Sequence, residues 1–221
     1  MYKTFIFDLD GTLLDTLQDL ADSVNYALRQ HGMPEHSIDD IRRFVGNGVR
    51  LLMERAVPDG AENPLFEATF ATFRQHYMQH SLDTTRPYDG IPELIHELKA
   101  RSCRMAVVSN KMMAATQELV RHFFPDIEVA IGENEAAGIR KKPAPDTVYE
   151  ALRQLNHPLN LEGMEGVLLF MWVIVTSIWR QLAIAVSLVL VCYGASAIAI
   201  SFWLTVPRPL LSIRWISWRF N

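Results

Sequence analysis

The apolar and polar positions of the chain change period several times, and each change predicts an element. Residues 3–7 end in the unbroken apolar run Phe5-Ile6-Phe7 and predict a buried strand. Over residues 15–30, Leu17, Leu20, Ala21, Val24, Ala27 and Leu28 recur at helical spacing and predict an amphipathic helix. Gly32-Met33-Pro34 ends it, and Ser37 can cap a short second helix. Gly46-Asn47-Gly48 opens a third that runs through Leu51, Leu52 and Ala56, and a fourth covers about residues 64–80. Residues 15–83 therefore read as helical throughout. After Tyr88 the pattern alternates: helix 91–101, strand 105–108, helix 112–123, strand 127–131 and helix 144–155. Strands alternating with helices predict a parallel sheet with right-handed crossovers.

The predicted fold class is α/β, a Rossmann-like parallel sheet core made of residues 1–14 and 84–165 with an inserted α-helical cap over residues 15–83. Functional groups of such a sheet belong at the carboxyl ends of its strands. Residues 166–221 form an atypical hydrophobic tail. All 25 acidic residues lie at or before Glu165, whereas all 5 tryptophans lie after it. The tail carries charge only at Arg180, Arg208, Arg214 and Arg219. A net charge of -4, with no basic stripe, argues against nucleic acid as a partner. Cys103 and Cys192 lack metal-ligand spacing and point to a reducing compartment. The first strand starts at once, without room for a signal peptide, so the expected location is cytoplasmic.

The chemistry concentrates where the first strand ends. Asp8 and Asp10 in Asp8-Leu9-Asp10-Gly11-Thr12 are one residue apart, and in extended chain such side chains share a side. Two carboxylates this close repel unless a cation or a shared proton offsets them, so they imply either a divalent metal or acid–base work. Ser109-Asn110 follow the predicted strand 105–108 and reach the same sheet edge. By itself Ser109 is as readily a helix cap as a ligand. Residues 138–143 bring Lys141 and Lys142 there as well. Gly46-Asn47-Gly48-Val49-Arg50 is either an ordinary helix start or a flexible loop able to close on a substrate anion. The seven histidines show no metal spacing.

Asp8 to Thr12, the segment Val107-Val108-Ser109-Asn110 and the segment Lys141-Lys142-Pro143-Ala144-Pro145-Asp146 together resemble the haloacid dehalogenase superfamily. The helical insertion after the first motif is similar to that of its small-cap, phosphoglycolate phosphatase-like branch. The resemblance covers about residues 1–161 and includes three of the four family motifs, in order. It implies a phosphatase of small phosphomonoesters, with a small phosphorylated metabolite as partner and Mg2+ as cofactor. Asp8 would be the nucleophile that carries an aspartyl-phosphate, and Asp10 the general acid and then base. Asp8 and the backbone carbonyl of Asp10 would hold the metal. Ser109, Asn110 and Lys142 would bind the phosphoryl oxygens, Lys142 being preferred to Lys141 because it directly precedes Pro143. If the loop 46–50 closes on substrate rather than merely starting a helix, Gly46, Asn47, Gly48 and Arg50 are its substrate-facing cap residues. Asp10 argues against the dehalogenases, which lack the second aspartate, and the absence of lysine between Lys3 and Lys99 argues against the phosphonate-cleaving members. A sugar-phosphate mutase of the same superfamily is the alternative enzyme.

The fourth motif, an acidic Gly-Asp-Ser loop that completes the metal site, is missing, and no aspartate follows Asp146. Its place reads Gly166-Val167-Leu168-Leu169-Phe170-Met171-Trp172-Val173 instead. The codons of Met171-Trp172-Val173 force Val-Gly when regrouped after their second base, and the next ones permit Asp-Ser-Asp. The missing motif is thus compatible with the neighbouring reading frame, and a frameshift near residues 162–168 accounts for the tail, with turnover impaired in this chain. The rival reading is a membrane-anchored, non-catalytic binding module. Residues 182–206 form an apolar run of about 25 residues, against the roughly 20 that span a bilayer.

Overall fold

The computed structural model describes residues 4–156 and, as strand backbone alone, residues 167–172, 185–193, 197–205 and 217–218. The elements are β1 (Thr4–Phe7), β2 (Leu14–Asp15), α1 (Leu17–Gln30), α2 (Ile38–Phe44), α3 (Val49–Ala56), α4 (Phe66–His80), β3 (Arg86–Pro87), α5 (Ile91–Ala100), β4 (Arg104–Met112), α6 (Met113–Phe123), β5 (Val129–Glu133) and α7 (Asp146–Gln154). The strands β6 (Val167–Trp172), β7 (Ala185–Tyr193), β8 (Ala197–Thr205) and β9 (Ser217–Trp218) follow. One sheet runs in the order β5-β4-β1-β6-β7-β8-β9. Its first four strands are parallel, with Phe5 opposite Met105 on one side and Leu168 on the other. The α/β class and the parallel core stand as predicted, and the segment 167–171 takes its place beside β1.

Alternation along the strands divides the core between the two sheet faces. Ile6, Ala106 and Val108 pack on one face with Ala151 and Leu152 of α7. Phe7, Met105 and Val107 pack on the other with Ile95 and Leu98 of α5 and Leu119 of α6. Strands covered on both faces are apolar at every position, which explains the unbroken run at Phe5-Ile6-Phe7. Gly132 is required where β5 meets the start of α6: a Cβ there would lie 2.5 Å from the Met113 Cα and 2.7 Å from the Lys111 carbonyl oxygen.

The helices α1 to α4 build a separate apolar cluster. Leu20, Val24, Ala27 and Leu28 line one side of α1 and meet Phe66, Phe73 and Tyr77 of α4. Ser37 caps α2 as expected, its hydroxyl accepting from the Asp40 N–H in a reciprocal capping box. Two extended segments tie this helical insert to the sheet. The antiparallel ribbon β2–β3 pairs Leu14 with Pro87 and Asp15 with Arg86. The Asp19 carboxylate, buried in the first turn of α1, accepts from the N–H of Thr84 at 2.9 Å and of Thr85 at 3.0 Å. Residue 15 is thus ribbon rather than helix, a correction to the all-helical reading. Two residues per strand carry too little pattern to be seen.

Two further boundaries shift. Strand β4 continues beyond Val108 to Met112, with a register irregularity between those residues against β5. Ser109 and Asn110 therefore lie inside the strand rather than after it. Within the apolar run 182–206, residues Ala185–Tyr193 and Ala197–Thr205 form β7 and β8, which pair antiparallel from Ala185↔Thr205 to Tyr193↔Ala197. Val186, Val189, Val191, Ile198 and Ile200 are β-branched and suit extended chain better than helix. The described part of this run is strand, and no helix among the described residues is long and apolar enough to cross a membrane. The place of the missing fourth motif overlaps β6 as far as Trp172, and its remainder from residue 173 lies outside the described residues, as do Arg180, Arg208, Arg214 and Arg219.

Candidate active site

The carboxyl ends of β1 and β4 meet the segment before α7 to form one charged cluster. Asp8 leaves β1 with its Oδ1 accepting from the Leu9 N–H at 2.8 Å. Gly11 at φ +74° and the Leu9 carbonyl, which accepts from Leu13 and Leu14, fold the next residues into a tight turn that returns the chain beside Asp10. Lys142 Nζ lies 2.7 Å from Asp8 Oδ1 and also donates to the Val108 carbonyl at 3.0 Å. Asn110 fixes that lysine from β4: its amide donates to the Lys142 carbonyl at 2.9 Å, and its oxygen accepts from the Lys142 N–H at 2.8 Å.

Asp10 has its own set of partners. Lys111 Nζ donates to its Oδ1 at 2.7 Å and the Thr16 hydroxyl to the same oxygen at 2.6 Å. Ser109 Oγ lies 3.5 Å from Asp10 Oδ2 and accepts from the Lys111 N–H at 3.1 Å. Each carboxylate thus has one lysine. Burial drives Asp8 above the usual carboxylate range although Lys142 pulls the other way. Burial acts on Asp10 in the same sense, but Lys111 and the Thr16 hydroxyl outweigh it and hold Asp10 below that range. Asp10 is accordingly the better stabilised anion of the two.

The predicted residues Asp8, Asp10, Ser109, Asn110 and Lys142 are brought together. The loop Gly46-Asn47-Gly48 also reaches the cluster. A Cβ on Gly48 would stand 3.3 Å from the Asn110 carbonyl oxygen, and Gly48 holds φ +93°. Arg50, two residues on, is engaged elsewhere: it pairs with Glu67 at 2.6 Å and Glu54 at 3.3 Å and lies over the Phe66 ring. Lys111 and Thr16 were missed by the sequence reading. A lysine directly after Ser-Asn at a strand end is the signal that could have revealed the first; nothing local marks the second. The carboxylates supply hard oxygen donors, and magnesium, which keeps waters and takes phosphoryl oxygens, needs only one or two of these from a protein. Among the described residues no three His, Cys, Asp or Glu side chains form a fuller cage.

Residues 5–161 match the family model of the haloacid dehalogenase-like hydrolases. The chain belongs to that family. Among curated members, the phosphoglycolate phosphatase of Aquifex aeolicus (strain VF5) is 30% identical over 155 residues, covering 69% of this chain and 70% of its own. That of Colwellia psychrerythraea is 33% identical over 162 residues, covering 70% and 71%. A crystal structure from Lactobacillus delbrueckii subsp. bulgaricus, provisionally named a phosphoglycolate phosphatase, is 33% identical with a TM-score of 0.67, covering 75% of this chain and 76% of its own. CbbY from Rhodobacter sphaeroides, solved in complex with phosphate, shares the fold at 23% identity and a TM-score of 0.62, covering 76% and 77%.

Proposed function

We propose that the cluster is a phosphomonoesterase site for a small, phosphoglycolate-like substrate. The observation that carries this reading is the pair of carboxylates one residue apart at the end of β1, each with its own lysine. Asp8 attacks phosphorus and the ester oxygen leaves, forming an aspartyl-phosphate; Asp10 gives the leaving oxygen its proton. Asp10 then takes a proton from the water that attacks the aspartyl-phosphate, which releases phosphate and restores Asp8. The Ser109 hydroxyl, the Asn110 N–H and the Lys142 ammonium hold the phosphoryl oxygens, and the ammonium is a compact charge suited to phosphate. The helices α1 to α4 act as a cap, with the loop 46–48 over the cluster.

The Asp8 carboxylate and the Asp10 carbonyl would hold magnesium, which when bound neutralises phosphoryl charge. Burial leaves Asp8 the more readily protonated of the two carboxylates, and magnesium held beside it would favour the ionised form that attack requires. The fourth motif, which would add an acidic ligand, is absent from the sequence, so magnesium binding and turnover are weak. We attribute that loss to a change of reading frame near residues 162–168, supported by the family match ending at residue 161.

Hydrolysis of p-nitrophenyl phosphate by the purified chain tests the reading. Slow, magnesium-dependent release of nitrophenol that disappears in Asp8→Asn is expected. Turnover that survives Asp8→Asn removes the nucleophile assignment. Vigorous turnover by the unaltered chain removes the impairment. Sequencing the gene across codons 155–185 decides the frame, and an unbroken match to relatives through that stretch would rule the shift out.

A further inference from the structure

The two oxygens of Asp10 are held unequally. Oδ1 accepts from the Lys111 ammonium at 2.7 Å and from the Thr16 hydroxyl at 2.6 Å. Among the described residues Oδ2 has only the Ser109 hydroxyl, at 3.5 Å. The oxygen left to pass a proton to the reacting atoms is therefore Oδ2, and its aim depends on what anchors Oδ1. Lys111 supplies one of those anchors from β4, with a side chain only 2% exposed. The lysine stem is four carbons long and flexible, so the ammonium is a firm anchor only if something else fixes it.

That second hold comes from the helical insert. Lys111 Nζ stands 4.8 Å from the centroid of the Tyr77 ring on α4. Tyr77 is fully buried and is the last of a series of stacked rings running Phe66, Phe70, Phe73, Tyr77, which keeps its own ring in place. Its hydroxyl has no hydrogen-bond partner among the described residues, so the ring face makes the contact. The quadrupole of an aromatic ring attracts an ammonium most strongly where water is excluded. On the phosphomonoesterase reading, we propose that Tyr77 is a positioning residue whose ring holds Lys111 against Asp10 Oδ1 and so aims Oδ2 at the ester oxygen. Tyr77 and Lys111 need not touch the substrate. The proton passes from Oδ2 to the ester oxygen as the bond from that oxygen to phosphorus breaks, and Lys111 keeps its own protons. Such a residue matters only where the leaving group needs that proton. p-Nitrophenolate departs as a stable anion without it, whereas the alkoxide of 2-phosphoglycolate does not.

Leaving-group kinetics of the full chain with magnesium present test this. A well-placed general acid contributes about 10²–10⁴-fold, and losing its aim forfeits part of that. In Tyr77→Leu, kcat for 2-phosphoglycolate is expected to fall about tenfold and kcat for p-nitrophenyl phosphate by less than about threefold. Tyr77→Phe keeps the ring face and should leave the ratio of the two rates within about twofold of its original value. The deciding variant carries pentafluorophenylalanine at position 77, which preserves the shape of the ring but reverses its quadrupole. It should follow Tyr77→Leu, and it serves if Tyr77→Leu does not fold. A fluorinated ring that behaves like Tyr77→Phe overturns the positioning role, because packing alone then accounts for the residue. So does an equal fall of both rates in Tyr77→Leu. Either of these results, with both esters still turned over by the unaltered chain, leaves the phosphomonoesterase reading standing; turnover of neither ester overturns both readings.

Discussion

The sheet edge and the helical insert use charge in opposite ways. In the insert, Arg42 pairs with Asp39, Arg43 with Asp40 and Arg50 with Glu54, each within one turn of a helix and half exposed. At the sheet edge, Asp8 and Asp10 pair with lysines from distant parts of the chain that are 10% and 2% exposed. Exposed pairs exchange water for each other at little net gain. Buried pairs have no water to fall back on, so losing one partner strands the other. The insert's charges keep its surface solvated, while those at the edge depend on each other for their stability.

Mutagenesis can break this contrast. Lys142→Ala strands Asp8 and should lower stability by about 3–5 kcal/mol in urea unfolding; a loss below about 1 kcal/mol would make the edge pair no different from a surface one. Asp19→Ala removes the acceptor that joins α1 to Thr84 and Thr85 and should cost about 3 kcal/mol. Its effect belongs with the buried class although the residue lies in the insert.

Acid sharpens the comparison further. Asp10 has a folded pKa below its ordinary value of 3.8, so its contribution is complete above that pH and is lost as pH falls through the folded value. Asp8, shifted upward, runs the other way: stability falls as pH rises from 3.8 through its raised value. The stability difference between the unaltered chain and Asp10→Asn should therefore shrink when urea melts at pH 6 and pH 3 are compared. The smallest effect belongs to Arg42→Ala, about 0.5 kcal/mol or less, and it should vanish in high salt.

The legible parts of the molecule were those with a repeating local signal. Leu17 to Leu28 announced α1, Ser37 announced its capping box, and Asp8-Leu9-Asp10-Gly11-Thr12 announced the site. The ribbon β2–β3 had no such signal, because two residues cannot display a period. The continuation of β4 through Ser109 and Asn110 was hidden because polar residues end an apolar strand pattern even where backbone pairing persists. Residues 182–206 carry two signals: their length and hydrophobicity fit a membrane helix, whereas the β-branched residues of 185–193 and 197–205 favour the pairing of β7 with β8.

Sequence alone determined the α/β class, the alternation of helix and strand from α5 to α7 and the two carboxylates that follow the first strand, since hydrophobic period and motif spacing are properties of neighbouring residues. Only the tertiary structure decided which lysine serves which carboxylate. That choice depends on strands β1 and β4 lying side by side, on Asn110 fixing the backbone of Lys142, and on Tyr77 arriving from the insert above Lys111. Electrostatic coupling follows distance in space, and residues 10 and 111 become neighbours only when the sheet has formed.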